Sequence, residues 1–345
     1  MKRDRITCLA VLIMLPLFWG AIIAEPVAVQ HAYTGSKDVE WAKPGGQSLT
    51  MDIYTPQTGK ASYPVLIIYH GGAWMINNKS VMDSMSIYIV QKSEYVVCNV
   101  NYRLFVDAGN TITLNQIVED VLGAVAWVQA NIAAYKGAPD KLIVTGDSAG
   151  GHLAAMVVLA GDKLESDGFA GASLGFCPTW LPPGVMAEQV AQKSGLAVQA
   201  AILSYPALDL HAACVGGFEK TGNYFWNFAK AQARGIFGDS ITVETHADFY
   251  KMVSPVYLLP DSSQKKLPPQ LCMVGSADNL IPPASVREYV VKLNALGQPA
   301  EYWEHEGRPH AYLDAWKNDY LGISFGKDAP LALDRMIEFM DRIFY

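Results

Sequence analysis

The run Leu142-Ile143-Val144-Thr145-Gly146-Asp147-Ser148-Ala149-Gly150-Gly151-His152 sets a serine where a β-branched segment stops and a run of small residues begins. That order reads as strand, sharp turn, helix, with the pattern G-x-S-x-G at the turn. A serine that acts as a nucleophile must stand clear of its sheet with Oγ exposed, which forces its backbone into a strained conformation. Glycines two residues to either side let strand and helix approach each other. The first amides of the following helix then point to where negative charge would form.

A hydroxyl alone is a weak nucleophile, so a base, a group that orients it and an oxyanion site must come from elsewhere in the chain. Val65-Leu66-Ile67-Ile68-Tyr69 runs straight into His70-Gly71-Gly72-Ala73-Trp74. Paired glycines at the end of a central strand let backbone N–H groups turn outward unobstructed, as an oxyanion site requires. Leu271-Cys272-Met273-Val274 is followed by Gly275-Ser276-Ala277-Asp278-Asn279-Leu280-Ile281-Pro282, which puts Asp278 at the C-terminal end of a strand. An Asp there serves either as a helix cap or as the carboxylate that orients an imidazole. Glu306-Gly307-Arg308-Pro309-His310-Ala311-Tyr312 then carries His310 on a Gly/Pro-bounded loop. His305 ends the preceding strand and reads as a surface or edge residue. His152 reads as directed at neighbouring loops, and His70 as a brace for the glycine turn. The order Ser148, Asp278, His310 is that of a strand-to-helix serine site.

These four motifs together resemble the α/β-hydrolase fold, and within it the hormone-sensitive-lipase-like and related exported carboxylesterases. The resemblance covers about residues 48–343, and the Gly-Asp-Ser-Ala-Gly-Gly version of the turn is its most specific part. It implies Ser148 as nucleophile, His310 as base and Asp278 as orienter. It also implies an oxyanion hole from the N–H groups of Gly72, Ala73 and Ala149, with Gly71 shaping the turn, and Trp74 against the substrate. Ala73 replaces the third glycine, and the segment after Tyr102-Arg103-Leu104 lacks the usual Ala-Pro-Glu. His152 and Trp74 are instead similar to the feruloyl-esterase and acetylxylan-esterase-like branch. The implied reaction is hydrolysis of short-chain or aryl carboxylic esters, small or linked to polysaccharide, through an acyl-enzyme and without cofactor or metal. An amide or lactone as substrate, or a non-catalytic binding protein on the same fold, are the alternatives.

The elements that must position these residues follow from hydrophobic periodicity. Strands are expected at Ser48–Tyr54 (an edge strand), Val65–Tyr69, Tyr95–Asn101, Lys141–Thr145, Ala200–Tyr205, Pro269–Val274 and Ala300–Trp303. Helices are expected at Val81–Lys92, Leu114–Ile132, Ala149–Ala160, Ala284–Leu296 and Leu331–Ile343. Alternation along the whole length predicts a mostly parallel sheet covered by helices on both faces, as one domain over residues 25–345. Two connections are longer than such a domain needs. Residues 162–198 and 210–266 are candidate lids or binding loops, and the second is the better candidate for a cap. Its aromatic residues fit either a cap lining or a small satellite core.

Composition sets outer limits. With 345 residues, half of them hydrophobic, the chain buries a large core, and a net charge of −7 argues against a nucleic-acid partner held by bulk electrostatics. Lys2, Arg3 and Arg5 precede an apolar run from Ile6 to Ala24. This reads as a signal peptide over residues 1–24, and hence a secreted or periplasmic protein free of the membrane. The run is also close to the ~20 residues that span a bilayer, so an uncleaved anchor over residues 6–24 is the alternative. In an exported chain Cys177 and Cys214 form the one plausible bridge, whereas Cys98 and Cys272 sit in apolar strands. No spacing suggests a metal site.

Overall fold

The computed structural model describes residues 30–345 apart from 171–173, 194 and 320, so the leader segment lies outside the described residues. Its centre is an eight-stranded sheet with the order β1-β2-β4-β3-β5-β6-β7-β8. The strands are β1 (Tyr33–Ala42), β2 (Leu49–Pro56), β3 (Tyr63–Tyr69), β4 (Val96–Val100), β5 (Gly137–Asp147), β6 (Ala200–Ser204), β7 (Gln270–Gly275) and β8 (Ala300–His305). From β4 to β8 every neighbouring pair is parallel, and β2 runs antiparallel to both β1 and β4. Strands β3, β4 and β6 are buried at every residue, which is why they read as unbroken apolar runs rather than alternating ones.

Helices cover the sheet: α1 (Asp83–Lys92), α2 (Leu114–Asn131), α3 (Ala149–Ala160), then α4 (Leu210–Val215), α5 (Tyr224–Phe228) and α6 (Ala247–Met252), and finally α7 (Pro283–Ala295) and α8 (Pro330–Phe344). This is an α/β-hydrolase fold. Helix α2 opens on a capping box, in which the Thr113 side chain and Gln116 satisfy each other's end of the first turn. Every residue of α3 is buried, so it carries Ser148 as part of the core. Trp127 and Met156 are core residues, as their positions in α2 and α3 suggest.

Ser48–Tyr54 was expected at the edge, but β1 pairs outside it and makes β2 an internal strand. The reason is visible in β1 itself. Its first eight residues are mostly exposed, so Thr34 to Glu40 show no apolar alternation, and only Trp41 and Ala42 are buried. A pairing carried by backbone hydrogen bonds leaves little trace in hydrophobic pattern.

The turn after β4 is fixed by an ion pair of high burial. Arg103 donates from Nε to Asp120 Oδ2 at 2.8 Å and from Nη2 to Asp120 Oδ1 at 2.6 Å, with Asp120 fully buried on α2. A charge pair taken out of water is held only by such two-pronged geometry, and removing either partner would strand the other. It ties the chain beside the Gly71 loop to the helix layer.

Candidate active site

Strand β5 ends at Asp147, helix α3 begins at Ala149, and Ser148 between them has φ 53° and ψ −115°. That conformation is costly for a residue with a side chain and is held by its surroundings. The Ser148 N–H donates to Ser204 O at 2.9 Å, and the His152 N–H donates to Ser148 O at 3.1 Å. The flanking glycines are required by close approach. A Cβ on Gly150 would lie 2.0 Å from Tyr69 O, and one on Gly146 would lie 2.3 Å from the Gly150 carbonyl carbon.

His310, Asp278 and Ser148 come together from three separate connections. His310 Nε2 is 3.0 Å from Ser148 Oγ, and His310 Nδ1 is 2.8 Å from Asp278 Oδ2. The network assigns the proton to Nδ1, donating to the carboxylate, and leaves Nε2 to accept from the hydroxyl. Asp278 is 3% exposed. Its second oxygen, Oδ1, accepts the N–H groups of Leu280 at 2.9 Å and Ile281 at 2.8 Å. Of the two roles open for this Asp in the sequence, the structure fills the second: the helix that follows starts at Pro283 with Pro282 at its cap, and Oδ1 instead closes the turn that leads to it. A buried carboxylate anchored by two amides presents its other oxygen in a fixed direction.

The His70–Trp74 turn lies beside Ser148. Gly72, Ala73 and Trp74 all have left-handed φ values of 118°, 51° and 60°. The N–H groups of Gly72, Ala73 and Ala149 have no hydrogen-bond acceptor among the described residues. Free, preorganised amides of this kind are the raw material of an oxyanion site. Gly71 shapes the turn, as expected: it lies against the Asp147 carboxylate, where a Cβ would stand 2.4 Å from Asp147 Oδ2. His70 braces that turn, with Nδ1–H donating to Gly71 O at 2.7 Å and its ring stacked on Tyr102 at 4.4 Å. Burial pushes its pKa down to about 4, so it stays neutral.

The other two histidines are occupied. His152 is fully buried, accepts from Trp74 Nε1 at 3.2 Å through Nδ1, and donates from Nε2 to Val253 O at 2.8 Å. It therefore ties the Trp74 turn to the chain between α6 and α7, and burial lowers its pKa to about 4. His305 was expected as a surface or edge residue. It ends the edge strand β8 but is only 4% exposed, with Nε2 3.0 Å from Asp328 O, because the segment before α8 folds over that edge. Burial lowers its pKa as well.

A cavity of about 350 Å³ opens from Ser148. Its walls come from Ala73 and Trp74, from Leu208, Ala213, Phe218 and Phe225, and from Leu280 and Ile281 opposite. The 210–266 connection supplies one wall of it, while nothing from 162–198 does. The aromatic residues of 210–266 divide between two tasks. Trp226 and Tyr250 are fully buried and join the main hydrophobic core, with Trp226 stacked on Phe105 at 5.9 Å and Phe237 against Tyr250 at 5.1 Å, whereas Phe218 and Phe225 face the cavity. Cys177 and Cys214 are both free thiols, so the bridge between them is not formed, and Cys98 and Cys272 are free and buried. Among the described residues no cluster of His, Cys, Asp and Glu could hold a metal ion.

Comparison with known proteins agrees with this architecture. Residues 51–293 match the family model BD-FAE. The isoprenylcysteine alpha-carbonyl methylesterase ICME of Arabidopsis thaliana is 26% identical over 90% of this chain and 64% of its own length. Esterase LipQ of Mycobacterium tuberculosis is 27% identical over 82% of this chain and 61% of its own length. The chain spans about half to two thirds of such relatives. Among solved structures, esterase 2 of Thermogutta terrifontis shares 21% identity at a TM-score of 0.60, covering 91% of this chain and 94% of its own. A truncated carbohydrate esterase from gut microbiota gives a TM-score of 0.63 at 21% identity, over 92% of this chain and 98% of its own. A family match over more than half of the chain, on this sheet and with this serine turn, makes the protein a member of the BD-FAE family of α/β-hydrolases.

Proposed function

We propose that this protein is a serine carboxylesterase acting on short-chain or aryl esters. The observation that carries the reading is the unbroken relay from Asp278 through His310 to Ser148, at 2.8 and 3.0 Å. Ser148 attacks the ester carbonyl while His310 Nε2 takes its proton, and Asp278 holds the ring's tautomer and favours the imidazolium. The N–H groups of Gly72, Ala73 and Ala149 receive the developing oxyanion, each such donor being worth roughly 2.7–4 kcal/mol. His310 then protonates the leaving alcohol, and water repeats the cycle on the acyl-enzyme. The esterase names of the relatives support the same reaction class.

The cavity walls include Ser148, Ala73 and Trp74 but not His310. A leaving group must sit beside the histidine that protonates it, so this cavity holds the acyl side. At about 350 Å³ it is near the lower end of the ~300–1,000 Å³ typical of small-molecule sites, and Phe218 and Phe225 line it. An exported enzyme acting on small or polysaccharide-linked esters fits the apolar leader of residues 6–24, with an anchored form as the alternative.

The test is a series of p-nitrophenyl esters beside feruloyl and acetyl-sugar esters. Acetyl to butyryl esters are expected to be preferred over chains of ten or more carbons, without activation at an oil–water interface. Because the base must be neutral to work, the rate should fall as the pH is lowered. A kcat/KM that keeps climbing with chain length would make this a lipase, and a profile flat at pH 5 would mean that a group other than His310 takes the proton.

A further inference from the structure

One wall of the cavity beside Ser148 is part of a closed ring of aromatics. Trp74 and Phe218 line the cavity, while Phe105 and Trp226 lie outside its lining. All four are buried and they meet in a cycle. Trp74 packs on Phe105 at 6.3 Å, Phe105 stacks on Trp226 at 5.9 Å, Trp226 packs on Phe218 at 6.4 Å, and Phe218 returns edge-on to Trp74 at 5.9 Å. Each separation is one at which aromatic rings attract. The backbone ties the same residues in pairs: Phe105 N–H donates to Trp74 O at 2.7 Å, and Trp226 Nε1–H donates to Phe218 O at 2.9 Å. Trp74 and Phe105 belong to the turns after β3 and β4, whereas Phe218 and Trp226 belong to the 210–266 connection. The wall is therefore a joint between the two. Arg234 closes it from outside. Its Nη2 donates to Phe105 O at 3.0 Å and to Ile112 O at 2.5 Å, and its Nη1 donates to Gly235 O at 2.8 Å. The guanidinium carbon lies 5.7 Å from the centre of the Phe105 ring and 5.8 Å from that of Trp226, within reach of a cation–π attraction to both. On either side of it, Asn110 Nδ2 donates to Gln232 O at 3.0 Å and Leu114 N–H to Ile236 O at 2.8 Å.

We propose that Arg234 is a positioning residue that sets the acyl length accepted at Ser148, by holding the Trp74–Phe105–Trp226–Phe218 cycle closed. This rests on the reading of Ser148 and its cavity as an esterase site. Trp74 and Phe218 line one side of that cavity, and Leu280 and Ile281 line the other. The gap between the sides is fixed only while the half of the cycle in 210–266 stays against the half in the body of the fold. Phe218 is held by Trp226 through a ring contact and a hydrogen bond, and Trp226 is held in turn by Phe105 and Arg234. Only a planar, forked cation serves two carbonyls and two ring faces at once, which is why an arginine suits the position. Without it the Phe105 and Ile112 carbonyls and the two rings lose their common partner, Phe218 draws away from Trp74, and a longer chain gains room. A single methylene in a packed apolar pocket is worth on the order of tenfold or more in discrimination, so a small retreat of this wall is enough to be read in the acyl profile.

The experiment measures the ratio of kcat/KM on p-nitrophenyl butyrate to that on p-nitrophenyl octanoate in the full chain and its variants. Arg234→Met keeps an unbranched side chain but removes the charge and the donors, and should lower the ratio by on the order of tenfold. Phe218→Ala takes the ring itself from the wall and should lower it at least as far. Tyr250→Phe is the control for general loosening. It removes hydrogen bonds to Glu219 Oε1 and Ile241 O within the same connection but touches none of the four rings, and should leave the ratio in place. An unmoved ratio in Arg234→Met beside a lowered Tm would reduce Arg234 to a structural anchor. An unmoved ratio in Phe218→Ala would mean that this wall does not measure the acyl chain, and an equal fall in Tyr250→Phe would mean that any loosening of 210–266 has the same effect. Each of these results overturns the proposal. Should Arg234→Met not fold, Trp226→Phe decides: it keeps a ring on Phe105 but loses the bond to Phe218 O. A lowered ratio there supports the proposal and an unmoved one overturns it. A Ser148→Ala variant that kept its activity would instead remove the underlying reading.

Discussion

Ser148→Ala is expected to lower kcat on p-nitrophenyl acetate by on the order of 10⁴–10⁶-fold while the protein stays folded. The expectation follows from how little else at the site could replace the hydroxyl. Ser148 Oγ is the one group placed 3.0 Å from the imidazole Nε2, and it shares its cavity with the free amide end of the Ala73 turn. The oxyanion amides and the cavity survive the substitution, so a residual rate above that in water is expected. Replacing a half-buried Oγ at the cavity floor by hydrogen removes little packing, so circular dichroism and urea unfolding should match those of the parent. Retained turnover would mean that another nucleophile, or water activated directly, does the chemistry.

The second large effect separates the histidines. His310→Ala should lower kcat about as much as the serine variant, because members of one relay act as a unit and their losses do not add. His305→Ala should keep kcat within roughly tenfold and lose stability instead, by about 1–3 kcal/mol, since it strands the buried Asp328 carbonyl. His152→Ala should also keep a substantial fraction of turnover, as its two nitrogens are spent on Trp74 and Val253. Steady-state kinetics beside thermal unfolding resolve the pattern. A dead His305 variant with a live His310 one would reassign the base.

Much of this was legible because the site is built at strand ends. Unbroken apolar runs located β3, β5, β6 and β7, and the chemically informative residues follow them within a few positions. What was hidden depends on partners distant in sequence. The edge position of β1 is carried by backbone pairing with β2, and a strand exposed on both faces has no pattern to read. His305 looked exposed because nothing in Tyr302-Trp303-Glu304-His305 signals that Asp328 and the residues around it fold back over it. The burial of Asp147, 2% exposed against the Gly71 turn, is likewise set by a segment distant in sequence. Arg103 and Asp120, a buried pair, sit 17 residues apart with no motif between them. Composition showed that 210–266 is aromatic, but which rings join the core and which face the cavity is decided only by packing.

The central claim is that Ser148 is the nucleophile of a covalent acyl-enzyme cycle, and labelling tests it most directly. The intact protein is treated with paraoxon at neutral pH, and the modified peptide is mapped by mass spectrometry. The account predicts one phosphoryl group per chain, on Ser148, with loss of esterase activity in step with labelling and no label on the His310→Ala variant over the same time. Label on any other residue with activity lost, or full activity with Ser148 quantitatively modified, would contradict it.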